Sequence, residues 1–229
     1  GYNVPFSSVM SYDSNGYATN DGYGNGWRLG PSLPKLAFKA PTSHPAAEVE
    51  YSAGPNNFLL FTSAGGGAYT APLYFQDQLR WDGIDYTLTR INGIVQVFGS
   101  DGLLKSIKSA AGLAAVVTRT SESLSVKRGS GDSAWEFVFS FSGGLVRDVV
   151  FKLGDDEIRK LVFGYVGSLL RTIKAYDKAG ETWSEELVAA ELFAYDANAR
   201  LRHVITPTSD RQMVNNGITP ETADETTLN

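Results

Sequence analysis

Residues 195–207 read YDANARLRHVITP, and this stretch decides the fold. It begins on an aromatic, Tyr195, passes through a short polar turn and continues into a run that carries Leu201 and Val204. This order is typical of a β-hairpin whose first strand ends on the aromatic and whose second strand carries aliphatic residues on the same face. Because a single hairpin is only marginally stable in water, we expect this one to pack beside others.

The same pattern occurs four times along the chain. In each copy an aromatic precedes a turn segment, then a Leu or Val, and three residues later a second branched aliphatic. A recurring unit of this kind indicates hairpins stacked in an array, although an antiparallel protein can also produce such hairpins by chance. The four copies are Phe98 with Leu104 and Ile107, Phe141 with Val146 and Val149, Tyr165 with Leu170 and Ile173, and Tyr195 with Leu201 and Val204.

Short apolar runs separated by Gly, Pro or Asp indicate strands over most of the chain. Residues 69–76, 78–81 and 86–90 are runs of this kind, and Asn92-Gly93 between two alternating runs is a strong hairpin signal. The 24 Gly residues and the 12% aromatic content suit many strands joined by tight turns. We therefore predict an all-β fold in which antiparallel hairpin repeats form a curved, shell-like β-sheet.

Three segments differ in composition. Residues 1–47 form a Gly/Pro-rich N-terminal segment, in which we predict an edge strand over residues 4–12 and a turn over residues 13–16. Residues 48–207 form the β-hairpin repeat region. Residues 208–229 form a polar tail without a periodic apolar pattern.

Two stretches carry mixed signals. Residues 105–117 are rich in Ala, but Gly112 and the β-branched residues after it favour a turn followed by a strand. Residues 184–193 contain good helix formers, while alternate apolar positions also fit a strand. We predict a strand there as well.

Composition excludes several function classes. The net charge of −5 and the scattered Lys and Arg residues argue against a nucleic-acid partner, which usually meets a basic patch. The absence of Cys excludes disulfides, thiolate metal sites and cysteine nucleophiles. No apolar run approaches the roughly 20 residues of a membrane-spanning helix, so we predict no membrane span. The first residue is not Met and no signal peptide is visible, and we expect a processed or excised part of a longer protein.

Residues 195–207 resemble the repeats of the Rhs family of tyrosine–aspartate (YD) repeat proteins. The family pattern is Tyr-Asp, a Gly-Arg-Leu turn and an aliphatic strand that runs into Pro, and here Ala199 stands where the family usually has Gly. The N-terminal region is also similar, since Tyr12-Asp13-Ser14 is followed by Gly24, Gly26 and Trp27. The resemblance touches residues 4–30 and 80–207, with looser matches at Tyr176-Asp177 and from Tyr86 to Ile107.

The resemblance implies a structural role. In this family a long β-sheet strip spirals into a hollow shell, which can enclose a C-terminal toxin domain. The chain is too short to close such a shell, so we expect a structural segment from the N-terminal part of the repeat region or, alternatively, a short stand-alone relative. Its partner would be the remainder of the shell or another chain, and the protein would be secreted or delivered by a bacterial secretion system. The repeat-motif residues carried over are Tyr165, Leu170, Ile173, Tyr195, Asp196, Leu201 and Val204.

The polar residues do not form a recognisable catalytic motif. The only histidines are His44 in a Pro-rich loop and His203 on a repeat strand, and no nucleophile elbow accompanies either. The acidic cluster at residues 155–157 is typical of a solvated turn. Residues 13–16 begin like a calcium loop but lack its later acidic ligands. We predict no enzymatic activity, no cofactor and no metal site. A weaker alternative is a hydrolase that uses two carboxylates facing each other across a pocket.

Aromatic residues are the best candidates for ligand contact. Flat rings stack on sugars, and Tyr and Trp also anchor protein interfaces. The alternative function is therefore a carbohydrate- or cell-surface-binding module with a glycan partner. The same rings could instead pack the inner faces of the sheets. The candidates are Trp27, Tyr69, Tyr74, Trp81 and Tyr86, together with Tyr17 and Tyr23.

Overall fold

The computed structural model describes residues 9–12, 20, 22–30, 33–39, 44–53, 58–180, 182–183 and 189–205. These residues form nineteen β-strands and one 3-10 turn at Gly131–Ser133, and they include no α-helix. The strands are β1 Val9–Tyr12, β2 Trp27–Gly30, β3 Lys35–Lys39, β4 Glu48–Ser52, β5 Phe58–Gly65, β6 Ala68–Thr70, β7 Gln78–Trp81, β8 Tyr86–Thr89, β9 Val95–Phe98, β10 Leu104–Lys108, β11 Ala114–Arg119, β12 Ser123–Arg128, β13 Trp135–Ser142, β14 Leu145–Leu153, β15 Asp156–Val166, β16 Leu169–Ala179, β17 Thr182–Trp183, β18 Ala189–Tyr195 and β19 Leu201–Ile205.

The chain divides into two compact units. Unit 1 comprises Gly1–Val9, Gly30–Thr118 and Val126–Gly129. Unit 2 comprises Met10–Leu29, Arg119–Ser125 and Ser130–Asn229.

In unit 1 each strand from β3 to β11 pairs antiparallel with the next strand along the chain. The sheet curves until β3 meets the turn between β9 and β10, where Lys35 bridges to Leu103 and Leu36 N–H donates to Gly102 O over 2.8 Å. Alternate side chains face one side because successive residues of a strand point to opposite faces. The core so formed contains Leu36, Val49, Tyr51, Phe61, Tyr69, Leu79, Tyr86, Leu88, Phe98, Leu104 and Ile107.

Unit 2 is built on longer strands. Strands β13, β14, β15, β16, β18 and β19 pair antiparallel in this order, and β17 forms a short hairpin with β16. A two-stranded sheet of β1 and β2 belongs largely to the same unit. The buried apolar residues of the unit include Trp27, Phe139, Val146, Val149, Phe163, Leu170, Leu192, Phe193 and Tyr195.

The predicted all-β fold of antiparallel hairpins in a curved sheet is confirmed. Strands β8 and β9 form the hairpin at Asn92-Gly93, and residues 105–117 contain the end of β10, a turn and the beginning of β11. Residues 189–193 lie in strand β18, as predicted. Residues 184–188, together with the predicted turn at 13–16, the polar tail and most of the predicted edge strand, lie outside the described residues.

One strand prediction is wrong. Residues 69–76 do not form one run, because β6 ends at Thr70 and a loop follows over residues 71–77. Pro72 lacks a backbone N–H and cannot donate to a strand ladder, which explains the early end. Among the described residues, no helix is long and apolar enough to cross a membrane.

Candidate functional site

The four predicted repeats have one geometry. In each hairpin the aromatic of the first strand lies directly opposite the first motif aliphatic of the second strand. In two copies one further pair, Ser142 with Leu145 and Val166 with Leu169, lies between this pair and the turn. This aliphatic residue is fully buried in three of the copies, at Leu104, Val146 and Leu170. The opposed pairs are Phe98 with Leu104, Phe141 with Val146, Tyr165 with Leu170 and Tyr195 with Leu201.

A β-bulge follows this pair in every copy. On β15 and β16, Tyr165 faces Leu170 while Gly164 faces Thr172, so Arg171 is an extra residue between them. A bulge bends its strand and increases the local right-handed twist. The extra residues of the four copies are Lys105, Arg147, Arg171 and Arg202.

All four extra residues are basic, and the sequence reasoning missed them. The signal was present, because each second strand reads Leu or Val, then Lys or Arg, any residue, and Ile or Val. Three of the cations contact a carboxylate: Lys105 Nζ lies 2.6 Å from Asp85, Arg147 Nε lies 2.6 Å from Asp148, and Arg202 Nε lies 3.1 Å from Asp196. Exposed ion pairs stabilise a protein by only about 0–1 kcal/mol each. They leave the outer side of the bulges close to neutral.

The turn of the last hairpin is held by Asp196. Its Oδ1 accepts hydrogen bonds from the backbone N–H of Asn198 over 2.9 Å and from that of Arg200 over 3.0 Å. The Arg200 and Asn198 N–H groups, together with the Arg202 guanidinium, hold the pKa of the Asp196 carboxyl below its ordinary value. The aspartate that the family resemblance carried over therefore fixes a turn.

Ala199 occupies a conformation suited to glycine. Its φ is 62°, and its N–H donates to Asp196 O over 2.9 Å. Turns with the same hydrogen bonds join β8 to β9, β9 to β10 and β10 to β11, and they have Gly93, Gly102 and Gly112 at this position. A Cβ in the left-handed region is unfavourable, so Ala199 is the strained copy.

We expect Ala199→Gly to raise the free energy of unfolding by about 1 kcal/mol, because glycine removes this strain. Gly112→Ala is the matched control, since an added Cβ there meets nothing within 4 Å and introduces only the strain. We expect it to lower the free energy of unfolding by a similar amount. Denaturant titration of both variants checks the pair, and an Ala199→Gly variant less stable than the wild type would contradict this interpretation.

The described residues 20 and 22–27, which we term the glycine segment, contact three hairpins of unit 2 in turn. Gly22 O accepts from Val146 N–H of the β13–β14 hairpin over 2.6 Å, and Asn25 N–H donates to Ser168 O of the β15–β16 hairpin over 2.8 Å. Trp27 Nε1 donates to the hydroxyl of Tyr195, which ends β18, over 2.7 Å. Each hairpin therefore has one anchor on the segment.

The glycine segment approaches the backbone of the β15–β16 hairpin so closely that position 24 requires glycine. Gly24 has a φ of 97°, and a Cβ there would lie 3.0 Å from Ser168 O and 3.1 Å from Leu170 N. The Asn20 side chain accepts from the N–H groups of Gly22 and Gly24 over 2.9 and 3.2 Å and shapes the turn before them. No larger residue fits at position 24 without moving a hairpin.

Trp27 is the centre of an aromatic cluster in unit 2. It is 6% exposed, and its ring lies 4.6 Å from that of Phe193 and 5.4 Å from that of Tyr12. Tyr195 accepts from Trp27 and donates to Leu170 O over 2.6 Å, and burial is the main cause that raises its pKa to about 12. The phenol therefore stays protonated at neutral pH and acts as a structural hydrogen-bonding group.

Two further phenols lie nearby. Burial raises the pKa of Tyr23 to about 12 and is also the main cause that raises the pKa of Tyr165. The Tyr165 hydroxyl is buried and has no hydrogen-bond partner among the described residues.

Three of the predicted ligand-contact residues are buried. In unit 1, Tyr69 and Tyr86 are 7% and 0% exposed, and they pack with the half-buried Trp81 around His44. The His44 Nδ1 lies 2.9 Å from the Tyr86 hydroxyl. Trp27 is buried in unit 2, and Tyr17 lies outside the described residues. Tyr74, which is 94% exposed, is the candidate whose ring is open to a ligand.

The remaining polar candidates are scattered. His203 is exposed on β19 opposite Ala194, and residues 155–157 lie at the turn from β14 into β15. In the described part of the chain, no group of three or more His, Cys, Asp or Glu residues is placed to hold a metal ion. No protein-family model matches the chain, and no curated protein matches it.

Proposed function

We propose that the chain is a structural segment of an Rhs-type YD-repeat shell and forms part of the wall that encloses a toxin or cargo domain. The observation that carries this proposal is the recurrence of one hairpin in four copies, each with the same opposed pair and the same one-residue bulge. Hairpins that share one bulge position can stack into a curved wall, because each bulge adds twist at the same place in its hairpin.

The contacts of three polar or glycine-containing features support a structural role. Asp196 fixes a turn, Tyr195 joins two hairpins through Leu170 O, and the glycine segment links three hairpins. The buried rings of Trp27, Tyr69 and Tyr86 offer no face to a sugar. The geometry therefore favours wall formation over the alternative of carbohydrate binding.

Isolation of the affinity-tagged chain from its native cells tests the proposal. We expect the chain in a particle much larger than a 229-residue monomer. The particle should appear hollow in negative-stain electron microscopy, and its peptides should include further Tyr-Asp repeat sequences. The Trp183→Ala variant, altered at a half-buried side chain, should stay in the particle, whereas Trp27→Ala should be lost from it. Recovery as a free monomer, or in a particle without such hairpins, would overturn the proposal.

A further inference from the structure

Three connections lie side by side at one end of the unit 1 sheet. They are the β6–β7 loop, the β8–β9 turn and the β10–β11 turn. Asp77 Oδ1 in the first accepts from Ile91 N–H in the second over 3.0 Å. The second packs on the third so closely that a Cβ at Gly93 would lie 2.9 Å from the Cβ of Ala110.

These connections carry five exposed apolar side chains, which we term the apolar tip row. Single exposed apolar residues are normal, but a contiguous group of large ones marks an interaction surface. Its members are Leu73, Tyr74, Phe75, Ile91 and Leu113, and they are 78%, 94%, 50%, 69% and 43% exposed.

Tyr74 has a strained backbone conformation, and its side chain is exposed to solvent. Its φ is 74°, and Phe75 N–H donates to Pro72 O over 3.0 Å across the turn. Glycine is the usual residue at a turn position with positive φ, and a bulky residue there is a structural outlier. Strain at the most exposed aromatic of the row is consistent with a function for that side chain.

Several backbone N–H groups of the row already have hydrogen-bond partners within the protein. The N–H groups of Phe75 and Gly93 donate to carbonyls within their own turns, and that of Ile94 donates to Asn92 Oδ1. In the third turn, the N–H groups of Gly112 and Leu113 donate to Ser109 O and Oγ. Because these donors are already paired, their transfer out of water costs less free energy than that of unpaired N–H groups.

The charge at the base of the row is neutralised inside the protein. Arg90 Nε lies 2.8 Å from Asp77 Oδ2, and the Asp77 side chain is almost fully buried. The Arg90 guanidinium also donates to the Tyr51 hydroxyl over 3.2 Å and lies over the Tyr51 ring. Lys108, by contrast, is exposed at the end of β10 beside the third turn.

We propose that the apolar tip row inserts into the interfacial region of a lipid bilayer. Tyr is favoured at the boundary between apolar chains and headgroups, and a Lys at this level contacts lipid phosphate. The proposal does not depend on the function proposed above.

Co-sedimentation with phosphatidylcholine vesicles, with and without phosphatidylserine, tests the proposal on the full chain. We expect the wild type to bind the vesicles. The affinity of the double variant Leu73→Ser/Tyr74→Gly for the vesicles should be at least roughly tenfold lower, since two apolar side chains no longer leave water. Glycine suits the positive φ at position 74, so this variant should remain folded. The matched control is Ile84→Ser, because Ile84 is 73% exposed in the β7–β8 turn at the opposite end of the same sheet. Its vesicle binding should equal that of the wild type.

Three outcomes would overturn the proposal. One is a wild-type chain that stays in the supernatant with both vesicle types. Another is an equal loss of binding in the Ile84→Ser variant, which would indicate unspecific adsorption. The third is self-association of the wild type that the double variant abolishes without any vesicle binding, which would assign the row to a protein partner.

Discussion

Replacement of Trp27 by Ala is expected to lower the free energy of unfolding by about 4 kcal/mol, within the range found for buried Trp and Phe. The substitution removes a ring packed against Phe193 and Tyr12 and leaves the Tyr195 hydroxyl without its donor. Because Trp27 anchors the end of the glycine segment, its loss should also weaken the hydrogen bond from Val146 N–H to Gly22 O.

Denaturant unfolding followed by circular dichroism measures this loss, and amide hydrogen exchange at Val146 reports on the segment. Trp183→Ala is the matched control: its ring lies at a half-buried position beneath the Lys160 ammonium, at 4.6 Å. We expect that variant to lose no more than about 1 kcal/mol. A Trp27→Ala variant as stable as Trp183→Ala would show that the glycine segment is not part of the folded unit.

Gly102→Ala is expected to lower the free energy of unfolding by about 3 kcal/mol. Gly102 has a φ of 78°, and an added Cβ would overlap the carbonyl oxygen of Leu36 on β3. The cost combines about 1 kcal/mol of left-handed strain with loss of the Leu36–Gly102 hydrogen bond and displacement of β3.

Gly112→Ala provides the comparison for this substitution as well. It occupies the same turn position in the next hairpin, with a φ of 84° and open space around an added Cβ. The difference between the two variants, about 2 kcal/mol, measures the contact of β3 with the β9–β10 turn. Equal losses in the two variants would mean that β3 does not close on this turn in solution.

The hairpins could be predicted from the sequence because their signals are local. The alternation around Asn92-Gly93 and the spacing from each aromatic to the next aliphatic depend on residues that are neighbours in the chain. The burial of the aromatics could not be predicted in this way. Tyr69 and Tyr74 belong to the same residue type and lie five positions apart, yet one is in the core and the other is 94% exposed. Their difference depends on where Pro72 ends the strand and on which strands pack across the sheet.

The bulges were missed for a different reason. A strand read with a period of two places Leu170 and Thr172 on one face and Arg171 on the other, and it contains no extra residue. Only the observed pairing of Thr172 with Gly164 and of Leu170 with Tyr165 shows that Arg171 lies between two opposed pairs. The glycine segment was recognised as turn-rich, but its contacts with hairpins more than a hundred residues away leave no local trace in the sequence.

Backbone proton contacts across the hairpins, measured by solution NMR on the full chain, test most directly that the four hairpins are copies of one unit. We expect Thr172 to face Gly164 and His203 to face Ala194, with Arg171 and Arg202 as the extra residues. The hairpins at Phe98 and Phe141 should show the same one-residue offset at Lys105 and Arg147. A regular ladder with Arg171 opposite Gly164, or an offset present in only one hairpin, would contradict the repeat and the wall built on it.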